Sequence, residues 1–247
     1  MRILITNDDG IQASQLAPLV KWAQKHGEVF VAAPKYEQSG KSHGIEIHKP
    51  FEAKKVDFLP GVTAWAVDST PADCVRFAIL GLKEQFDLVI SGINRGLNIG
   101  ADIMYSGTVS AACEAVNLGV KALAVSTQPK SYEQALEHMD RVWQFIEEND
   151  LFSLCDIYNV NISAGAGQIK ITHQGGPYYS DEFMPLENDM YKPCGMDVWE
   201  DRSDDTFDTD ATLHGYISIM PVTENTQSAH IRLRRTWRLY QRTEKFL

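Results

Sequence analysis

Two adjacent carboxylates, Asp8 and Asp9, follow the apolar run Arg2–Thr6 near the start of the chain. Unit charges about 4 Å apart repel by roughly 1 kcal/mol in water and by roughly 4 kcal/mol at an effective dielectric constant of 20. A divalent cation reverses this repulsion, and carboxylate oxygens suit magnesium, manganese or calcium. The alternative is a structural turn in which Asn7 and Asp8 only cap the loop. We favour the metal site, because an acidic pair directly after a first strand is uncommon in loops.

Neutral oxygen ligands stand after two other predicted strands. Ser39 lies in EQSG after the second strand, and Asn94 lies in SGIN after the strand Asp87–Ile90. A hydroxyl and an amide carbonyl can both complete a metal site. Serine and asparagine are also common in ordinary loops. Only their positions after strands of the same sheet support their assignment as metal ligands. The carboxyl ends of parallel strands meet at one edge of a sheet, and ligands bind there.

An anion site is indicated by Ser106, Gly107 and Thr108, which directly precede a predicted helix at Val109–Leu118. The first turn of a helix presents unpaired N–H groups and the positive end of the helix dipole. Glycine lets a ligand approach the backbone closely. Ordinary helix capping is the alternative role of these residues. The chain has no G-x-x-x-x-G-K-[ST] motif, so a P-loop ATPase is not indicated.

Alternating strands and helices must position these side chains. A strand at Arg2–Thr6, a helix at Ser14–His26 and a strand at Glu28–Ala33 predict a βαβ unit with a right-handed crossover. Thr70 as N-cap and Pro71 after it predict the start of a helix that continues to Leu82. Further strands are predicted at Ile45–His48, Phe51–Val56, Thr63–Val67 and Val120–Ser126, and a further helix at Tyr132–Glu147.

After about residue 150 the pattern changes to isolated strands in DIYNVNIS, QIKIT and GYISIMPV, separated by long polar stretches. Residues 174–214 are rich in glycine, proline and acids, which predicts an extended or mobile arm. We therefore predict a single domain over residues 1–247. Within it, residues 1–150 are predicted to form a doubly wound, mainly parallel α/β core that holds the active site, and residues from about 151 to 247 a β-rich C-terminal extension.

Composition limits the partners and the compartment. A formal net charge of −10 and a pI of about 5.1 disfavour a nucleic-acid polymer, because its many phosphates would need neutralising. We find no signal peptide, and no apolar run approaches the roughly 18 residues of a membrane span. Without a C-x-x-C pair, the cysteines predict buried reduced thiols and a cytoplasmic protein. They are Cys74, Cys113, Cys155 and Cys194.

Six motifs together resemble the SurE family of stationary-phase survival proteins, which act as metal-dependent 5′-nucleotidases. In chain order they are TNDDGI, EQSG, TPADCV, SGINRGLNIG, YSGTV and GYIS. The resemblance is dense over residues 1–126 and thinner beyond. It implies one divalent ion per subunit (magnesium, manganese or cobalt) and a phosphate site. The implied ligands of the ion are Asp8, Asp9, Ser39 and Asn94, and the implied phosphate-binding residues are Ser106, Gly107 and Thr108.

The resemblance also implies a Rossmann-like core and a C-terminal arm that is exchanged within homodimers or homotetramers. It implies nucleoside 5′- or 3′-monophosphates, or short polyphosphate, as substrates. An arginine-rich tail departs from the family pattern, and we interpret it as a solvated or subunit-bridging segment. Its arginines are Arg232, Arg234, Arg235, Arg238 and Arg242.

The predicted chemistry is hydrolysis of a phosphate monoester by a metal-activated water. Asp8 or Asp9 would take the proton of that water, and His43 is a candidate acid for the leaving oxygen. The alternative for His43 is an ordinary surface histidine in a loop. A second hypothesis is a receiver-like, magnesium-binding phospho-switch with Asp57 as phosphoacceptor, which the half-polar strand before Asp57 disfavours. A third is a metal-dependent sugar-nucleotide enzyme whose acidic pair holds a diphosphate.

Overall fold

The computed structural model describes residues 1–165 and 167–222 of the 247-residue chain. Its helices are α1 (Leu16–Ala23), α2 (Pro71–Arg76), α3 (Gly107–Asn117), α4 (Tyr132–Glu148) and α5 (Asp208–Leu213). Its strands are β1 (Arg2–Thr6), β2 (Glu28–Pro34), β3 (Ala53–Val56), β4 (Thr63–Val67), β5 (Leu88–Arg95), β6 (Lys121–Thr127), β7 (Ile157–Ile162), β8 (Ile169–Ile171), β9 (Tyr179–Pro185), β10 (Tyr191–Asp197) and β11 (Ile217–Pro221). The arginine-rich tail lies outside the described residues.

Nine of the described strands form one sheet, in the order β3-β4-β2-β1-β5-β6-β7-β11-β8. All neighbouring pairs from β4 to β7 are parallel. At one edge β3 runs antiparallel to β4, and beyond β7 the strand β11 is antiparallel to β7 and parallel to β8. The predicted fold class, a doubly wound and mainly parallel α/β sheet with a β-rich C-terminal region, is confirmed.

Helices cover both faces of the sheet. α1 and α4 pack on one face through an apolar cluster that includes Leu19 and Met139. α2 and α3 pack on the opposite face through a second cluster that includes Val75 and Val109. Because both faces are covered, the inner residues of the central strand β1 are apolar at successive positions instead of alternating with polar ones.

The direction in which the chain crosses the sheet reverses between β1 and β5. From β1 the chain passes to β2 and β4 on one side, and it then continues through β5, β6 and β7 on the other side. Open α/β sheets bind ligands at the carboxyl ends of their strands, where such a reversal leaves a crevice. Asp8 and Asp9 follow β1, and Asn94 lies near the end of β5. The fold therefore brings these predicted ligands to one point.

One predicted strand is wrong. Residues Ile45–His48 form no strand, and Ile47 is 70% exposed. The segment and the glycine before it are instead held by hydrogen bonds to the first turn of α2 and to its N-cap. The Glu46 N–H donates to Asp73 Oδ2 at 2.8 Å, and the Thr70 hydroxyl donates to the Gly44 carbonyl at 2.7 Å. Alternation of apolar and polar residues is therefore not sufficient to form a strand.

Residues 174–214 contain more regular structure than predicted. β9 and β10 form an antiparallel hairpin that is separate from the main sheet, and α5 follows it. Large apolar side chains of this hairpin are exposed, among them Phe183 (68%) and Tyr191 (63%). None of the helices in the described ranges combines the length and the apolar character that a membrane span needs.

Candidate active site

The loop after β1 holds the acidic pair in a fixed turn. The Asn7 side chain closes this turn, because its Nδ2 donates to the Gly10 carbonyl at 3.0 Å and its Oδ1 accepts from the Gly10 N–H at 3.1 Å. Gly10 has a φ of +98°, a backbone conformation that favours glycine. Asn7 therefore makes the structural turn by itself, and the Asp8 carboxylate makes its contacts elsewhere.

Asp8 is buried, with 5% of its surface exposed, and contacts the start of α3. Its Oδ1 accepts a hydrogen bond from the Thr108 hydroxyl at 2.7 Å. Its backbone carbonyl accepts a hydrogen bond from the Gln38 N–H at 2.8 Å, next to Ser39 in the loop after β2. Asp8 therefore joins two of the predicted sites, the anion site on α3 and the loop of Ser39.

Asp9 is held by residues that the sequence motifs did not single out. The Gln15 side-chain amide and the Arg95 backbone N–H both donate to Asp9 Oδ2, the latter at 3.3 Å. The Arg95 guanidinium lies 3.9 Å from Asp9 Oδ1 and 3.6 Å from Glu37 Oε2. The one sequence signal for these residues is that Arg95 directly follows the predicted ligand Asn94.

The two neutral ligands reach the same edge on their own loops. Ser39 is exposed, and its Oγ donates to Glu37 Oε1 at 2.7 Å. Asn94 is partly buried, and its Nδ2 donates to the Gly96 carbonyl at 2.9 Å, which engages the amide nitrogen and not the oxygen. Glu37 and Arg95 connect both loops to the acidic pair, so the structure brings the four predicted ligands to one region.

This donor set fits a hard divalent ion. Burial raises the pKa of Asp8 to about 6, and the charge of Asp9 contributes to the increase, while the hydrogen bond from Thr108 opposes it. Burial also raises the pKa of Asp9. Within the described residues no three His, Cys, Asp or Glu side chains are grouped so that they could hold a metal. An ion here therefore needs neutral oxygens and water beside the two carboxylates, which magnesium and manganese accept.

The start of α3 has the geometry of an anion site. Ser106 is the N-cap, and its Oγ accepts a hydrogen bond from the Val109 N–H at 3.1 Å. This capping accounts for one N–H group, whereas those of Gly107 and Thr108 have no partner within the helix. A Cβ at Gly107 would lie 3.2 Å from the Asp8 Cβ. A phosphate bound at these N–H groups would therefore lie beside the acidic pair.

His43 contacts the side of α3 instead of its start. Its Nε2 lies 2.8 Å from Glu114 Oε2, and Arg76 Nη1 donates to Glu114 Oε1 at 2.9 Å. Burial alone would raise the pKa of Glu114, but the hydrogen bonds from His43 and Arg76 lower it overall. The structure gives His43 a carboxylate partner, and its role as the acid stays a prediction.

Asp57 lies far from the acidic pair in the fold. It is exposed and follows β3, which runs antiparallel to β4. Val56 pairs with Ala64 near the amino end of β4, so Asp57 is placed at the amino-terminal edge of the parallel strands. Asp8 and Asp9 are at the opposite, carboxyl-terminal edge. This separation is incompatible with a receiver site in which both sets of acids surround one ion.

A buried carboxylate holds the segment directly ahead of Ser106. This segment, Gly100–Tyr105, is a short 3₁₀ helix. Asp208 Oδ2 accepts from the Gly100 N–H at 2.9 Å, and Oδ1 accepts from the Gly175 N–H at 2.6 Å. Asp208 is fully buried, and this burial raises its pKa to about 6. The carboxylate therefore joins the approach to α3 to the base of the β9–β10 hairpin.

Asp208 is expected to make stability fall as the pH rises. Its carboxyl binds a proton more tightly in the folded chain than in the unfolded chain, where the pKa is about 3.9. With a folded pKa of about 6, the free energy of unfolding should decrease by about 2 to 3 kcal/mol between about pH 4 and pH 6 through this group. Urea unfolding of the wild type and Asp208→Asn across this range should show their difference changing by that amount.

The variant Asp201→Asn is the control for this measurement. Asp201 is half-exposed, and the Ser203 N–H is the first cause that lowers its pKa. Its contribution should therefore have the opposite sign, with the wild type gaining relative to the variant as the pH rises. Parallel stability curves for the wild type and Asp208→Asn would contradict the assignment of a raised pKa to Asp208.

Comparisons with known proteins agree on one family. A family model described as "Survival protein SurE" matches residues 3–181. A "5′-nucleotidase SurE" from Thermoanaerobacter sp. (strain X514) is 38% identical over 237 residues, which cover 90% of this chain and 92% of the relative. A protein of the same name from Petrotoga mobilis is 36% identical over 90% of this chain and 92% of the relative. The crystal structure of the Sure protein from Aquifex aeolicus has a TM-score of 0.75 at 28% identity and covers 93% of this chain and 96% of that one.

Proposed function

We propose, because this chain belongs to the SurE family of survival proteins, that it is a 5′-nucleotidase. It hydrolyses nucleoside 5′-monophosphates to a nucleoside and phosphate, and it depends on a divalent metal ion. The observation that carries this proposal is the hydrogen bond of 2.7 Å between Thr108 Oγ1 and Asp8 Oδ1. It places the start of a helix, which suits a phosphate, against a buried carboxylate, which suits a cation.

The ion would be held by Asp8, Asp9, Ser39 and Asn94. When bound, a divalent ion neutralises charge at the phosphoryl group and lowers the pKa of a water. Asp8 or Asp9 would take the proton from the attacking water.

The phosphoryl oxygens would be bound by the N–H groups of Gly107 and Thr108 and by the cap residue Ser106. The positive end of the α3 dipole stabilises negative charge at this position, and the N–H groups are fixed before the reaction begins. Arg95 adds a nearby positive charge, since its guanidinium lies within 3.9 Å of Asp9 Oδ1. His43 would donate the proton to the leaving oxygen, with Glu114 as its partner.

The metal ion, the further substrates and the oligomeric state are proposed from membership of the family. We propose one ion per subunit, magnesium, manganese or cobalt, and nucleoside 3′-monophosphates and short polyphosphate as further substrates. We also propose a single domain in which the C-terminal region forms an oligomerisation arm, and a cytoplasmic homodimer or homotetramer. The exposed apolar side chains of the β9–β10 hairpin, such as Phe183 and Tyr191, support a contact with a second copy.

A phosphate-release panel on the full chain tests this function. It should include nucleoside 5′- and 3′-monophosphates, tripolyphosphate and a nucleoside diphosphate-sugar, each with and without a chelator. We expect release from nucleoside monophosphates, loss of this release with the chelator, and recovery when manganese, magnesium or cobalt is added. Turnover of the diphosphate-sugar without turnover of monophosphates would favour the sugar-nucleotide enzyme instead. A stable acyl phosphate on Asp57 after incubation with acetyl phosphate would favour the receiver.

A further inference from the structure

The 3₁₀ segment Gly100–Tyr105 connects the β9–β10 hairpin to the proposed active site. It ends directly before Ser106, which caps α3 and belongs to the proposed phosphate site. The first half of the segment contacts the base of the hairpin, and the second half contacts the loop of Ser39. A displacement of this segment would therefore reach both the phosphate site and one proposed metal ligand.

Asp102 supplies a side-chain contact between this segment and the hairpin. Its Oδ2 accepts hydrogen bonds from the N–H groups of Tyr178 and Tyr179, at 3.1 and 2.8 Å. Tyr179 is the first residue of β9, so the carboxylate holds the chain where the hairpin begins. Hydrogen bonds to an ionised carboxylate are stronger than those between neutral groups. A single oxygen therefore fixes two consecutive residues that lie 76 and 77 positions further along the chain.

The backbone of the 3₁₀ segment is also bonded to the hairpin base. The Gln174 side-chain amide donates to the Gly100 carbonyl at 2.9 Å. The Ala101 N–H donates to the Gly176 carbonyl at 3.0 Å. The two stretches of backbone leave no room for a side chain between them, because a Cβ at Gly100 would overlap the Gly176 carbonyl oxygen. In such a close-packed contact, a shift of the hairpin base is transmitted to the segment.

The other end of the segment is bonded to both parts of the proposed site. The Ser106 N–H donates to the Ile103 carbonyl at 3.1 Å, which joins the segment to the cap of α3. The Ser42 hydroxyl donates to the Met104 carbonyl at 2.6 Å. Ser42 lies three residues after Ser39, so the segment also supports the loop of that proposed ligand.

The phosphate site depends on where backbone groups lie. The N–H groups of Gly107 and Thr108 can bind an anion only where they point at its oxygens, and their position is set by the path of the chain into α3. Only Ser106 stands between the 3₁₀ segment and α3. A misplacement of roughly 1 Å at a reacting group can lower a rate by about 10²-fold. The anchoring of the segment on the hairpin base therefore bears directly on phosphate binding.

We propose that Asp102 is a positioning residue for the phosphate site. In this role it contacts neither the substrate nor the metal ion, and it acts by fixing the 3₁₀ segment on the hairpin base. This inference rests on the proposed function, because it concerns the binding of the phosphoryl group in that reaction. Loss of the Asp102 carboxylate should weaken phosphate binding without removing any group that contacts phosphate.

The test measures phosphate affinity for the wild type, Asp102→Ala, Asp102→Asn and Gln174→Ala, at a temperature where each is folded. In calorimetric titrations with inorganic phosphate and manganese, the dissociation constant should be about tenfold higher in Asp102→Ala. Asparagine keeps an acceptor oxygen, so Asp102→Asn should stay within about threefold of the wild type. Gln174→Ala removes a neutral hydrogen bond to the same segment and should raise the dissociation constant about threefold. For a nucleoside 5′-monophosphate, kcat/KM should fall in the same order.

Asp181→Ala is the matched control, because Asp181 is an exposed aspartate on β9, beyond the residues that Asp102 holds. It should bind phosphate as the wild type does. Thermal unfolding separates positioning from stability. A lower melting temperature of Asp102→Ala with unchanged phosphate affinity would show that the carboxylate only stabilises the hairpin, and it would overturn the inference. An equal loss of affinity in Asp102→Asn and Asp102→Ala would also overturn it.

The affinities also distinguish this inference from the proposed function. If the wild type binds phosphate but hydrolyses no nucleotide, the function is refuted, and the order of the dissociation constants still decides the role of Asp102. If the wild type binds no phosphate, both are refuted. If Asp102→Ala does not fold, Gln174→Ala decides, because unchanged phosphate affinity in that exposed variant would overturn the inference.

Discussion

Asp8→Asn is expected to lose metal-dependent phosphate release by about 10³-fold or more while the fold is retained. Asparagine has the shape of aspartate but no charge, so it removes one of the two negative charges that would attract a dication. Its Oδ1 can still accept the Thr108 hydroxyl that Asp8 binds at 2.7 Å, so the packing of the loop against α3 should survive. Because Asp8 is only 5% exposed, removing its charge also removes an unfavourable burial of that charge.

The measurement is phosphate release against manganese concentration, together with thermal unfolding. Asp87→Asn is a suitable control, since Asp87 is an exposed carboxylate that precedes β5 at the opposite edge of the sheet and accepts the Arg2 N–H at 2.7 Å. This control should keep wild-type activity. Full activity in a folded Asp8→Asn protein would refute the metal assignment and, with it, the proposed mechanism.

Gly107→Val is expected to lower kcat/KM by about 10²-fold, because a misplacement of roughly 1 Å at a catalytic group can cost that much. A Cβ at this position would lie 3.1 Å from the Pro71 Cγ, 3.2 Å from the Asp8 Cβ and 3.5 Å from Asp8 Oδ2. The two methyl groups of valine add to this crowding and would displace the Asp8 carboxylate. Pro71, which begins α2, also crowds the new side chain, so it limits how far that side chain can turn away from Asp8.

The effect of Gly107→Val should appear as weaker activation by manganese and a lower kcat/KM. Gly107→Ala should give a smaller loss in the same direction. Gly167→Val is the control, because a Cβ at Gly167 meets only the Gly215 carbonyl at 3.8 Å, an ordinary contact. Wild-type activation by manganese in Gly107→Val would show that the start of α3 and the acidic pair do not depend on each other.

Local signals predicted most of the parallel core correctly. β1 begins and ends at the predicted residues, and Thr70 caps α2 as predicted, since its Oγ1 accepts the Asp73 N–H at 3.1 Å. These features depend on short stretches of chain, which the sequence shows directly. The helix predicted to reach Leu82 instead continues after Arg76 as a π-helical turn over Phe77–Gly81, a difference of hydrogen-bond register that residue patterns do not encode.

The C-terminal region was predicted less well because its structure depends on distant contacts. α5 is a short helix with acidic residues, and its sequence resembles a loop. Asp208 and Asp210 are nevertheless buried, because they accept hydrogen bonds from the Gly100, Gly175 and Arg202 backbone N–H groups. Asp208 accepts hydrogen bonds from residues that are distant in the sequence, and no local pattern predicts such contacts.

In the candidate site, too, residues marked by local position were predicted and residues brought in by distant contacts were not. Asp8, Asp9, Ser39 and Asn94 were predicted from their positions after strands, and the parallel sheet brings them to one edge. Gln15 and Arg95 were not predicted as site residues. Gln15 lies outside the motifs, and Arg95 lies within SGINRGLNIG only as the neighbour of Asn94. Their hydrogen bonds to Asp9 form only when the loop after β1 meets the end of β5.

The base and the tip of the β9–β10 hairpin differ in whether an insertion or a deletion there would disturb the core. The base is tied to the core, since the Ala101 N–H donates to the Gly176 carbonyl at 3.0 Å and Asp102 accepts the Tyr178 and Tyr179 N–H groups at 3.1 and 2.8 Å. Among residues 1–165 and 167–222, the turn between β9 and β10 forms backbone hydrogen bonds only within itself, such as that from the Leu186 N–H to the Met190 carbonyl at 2.8 Å. An affinity tag or a fluorescent label grafted at Glu187–Asp189 would therefore leave α3 in place, whereas a deletion at Gly175–Gly176 would shift the residues that lead into it.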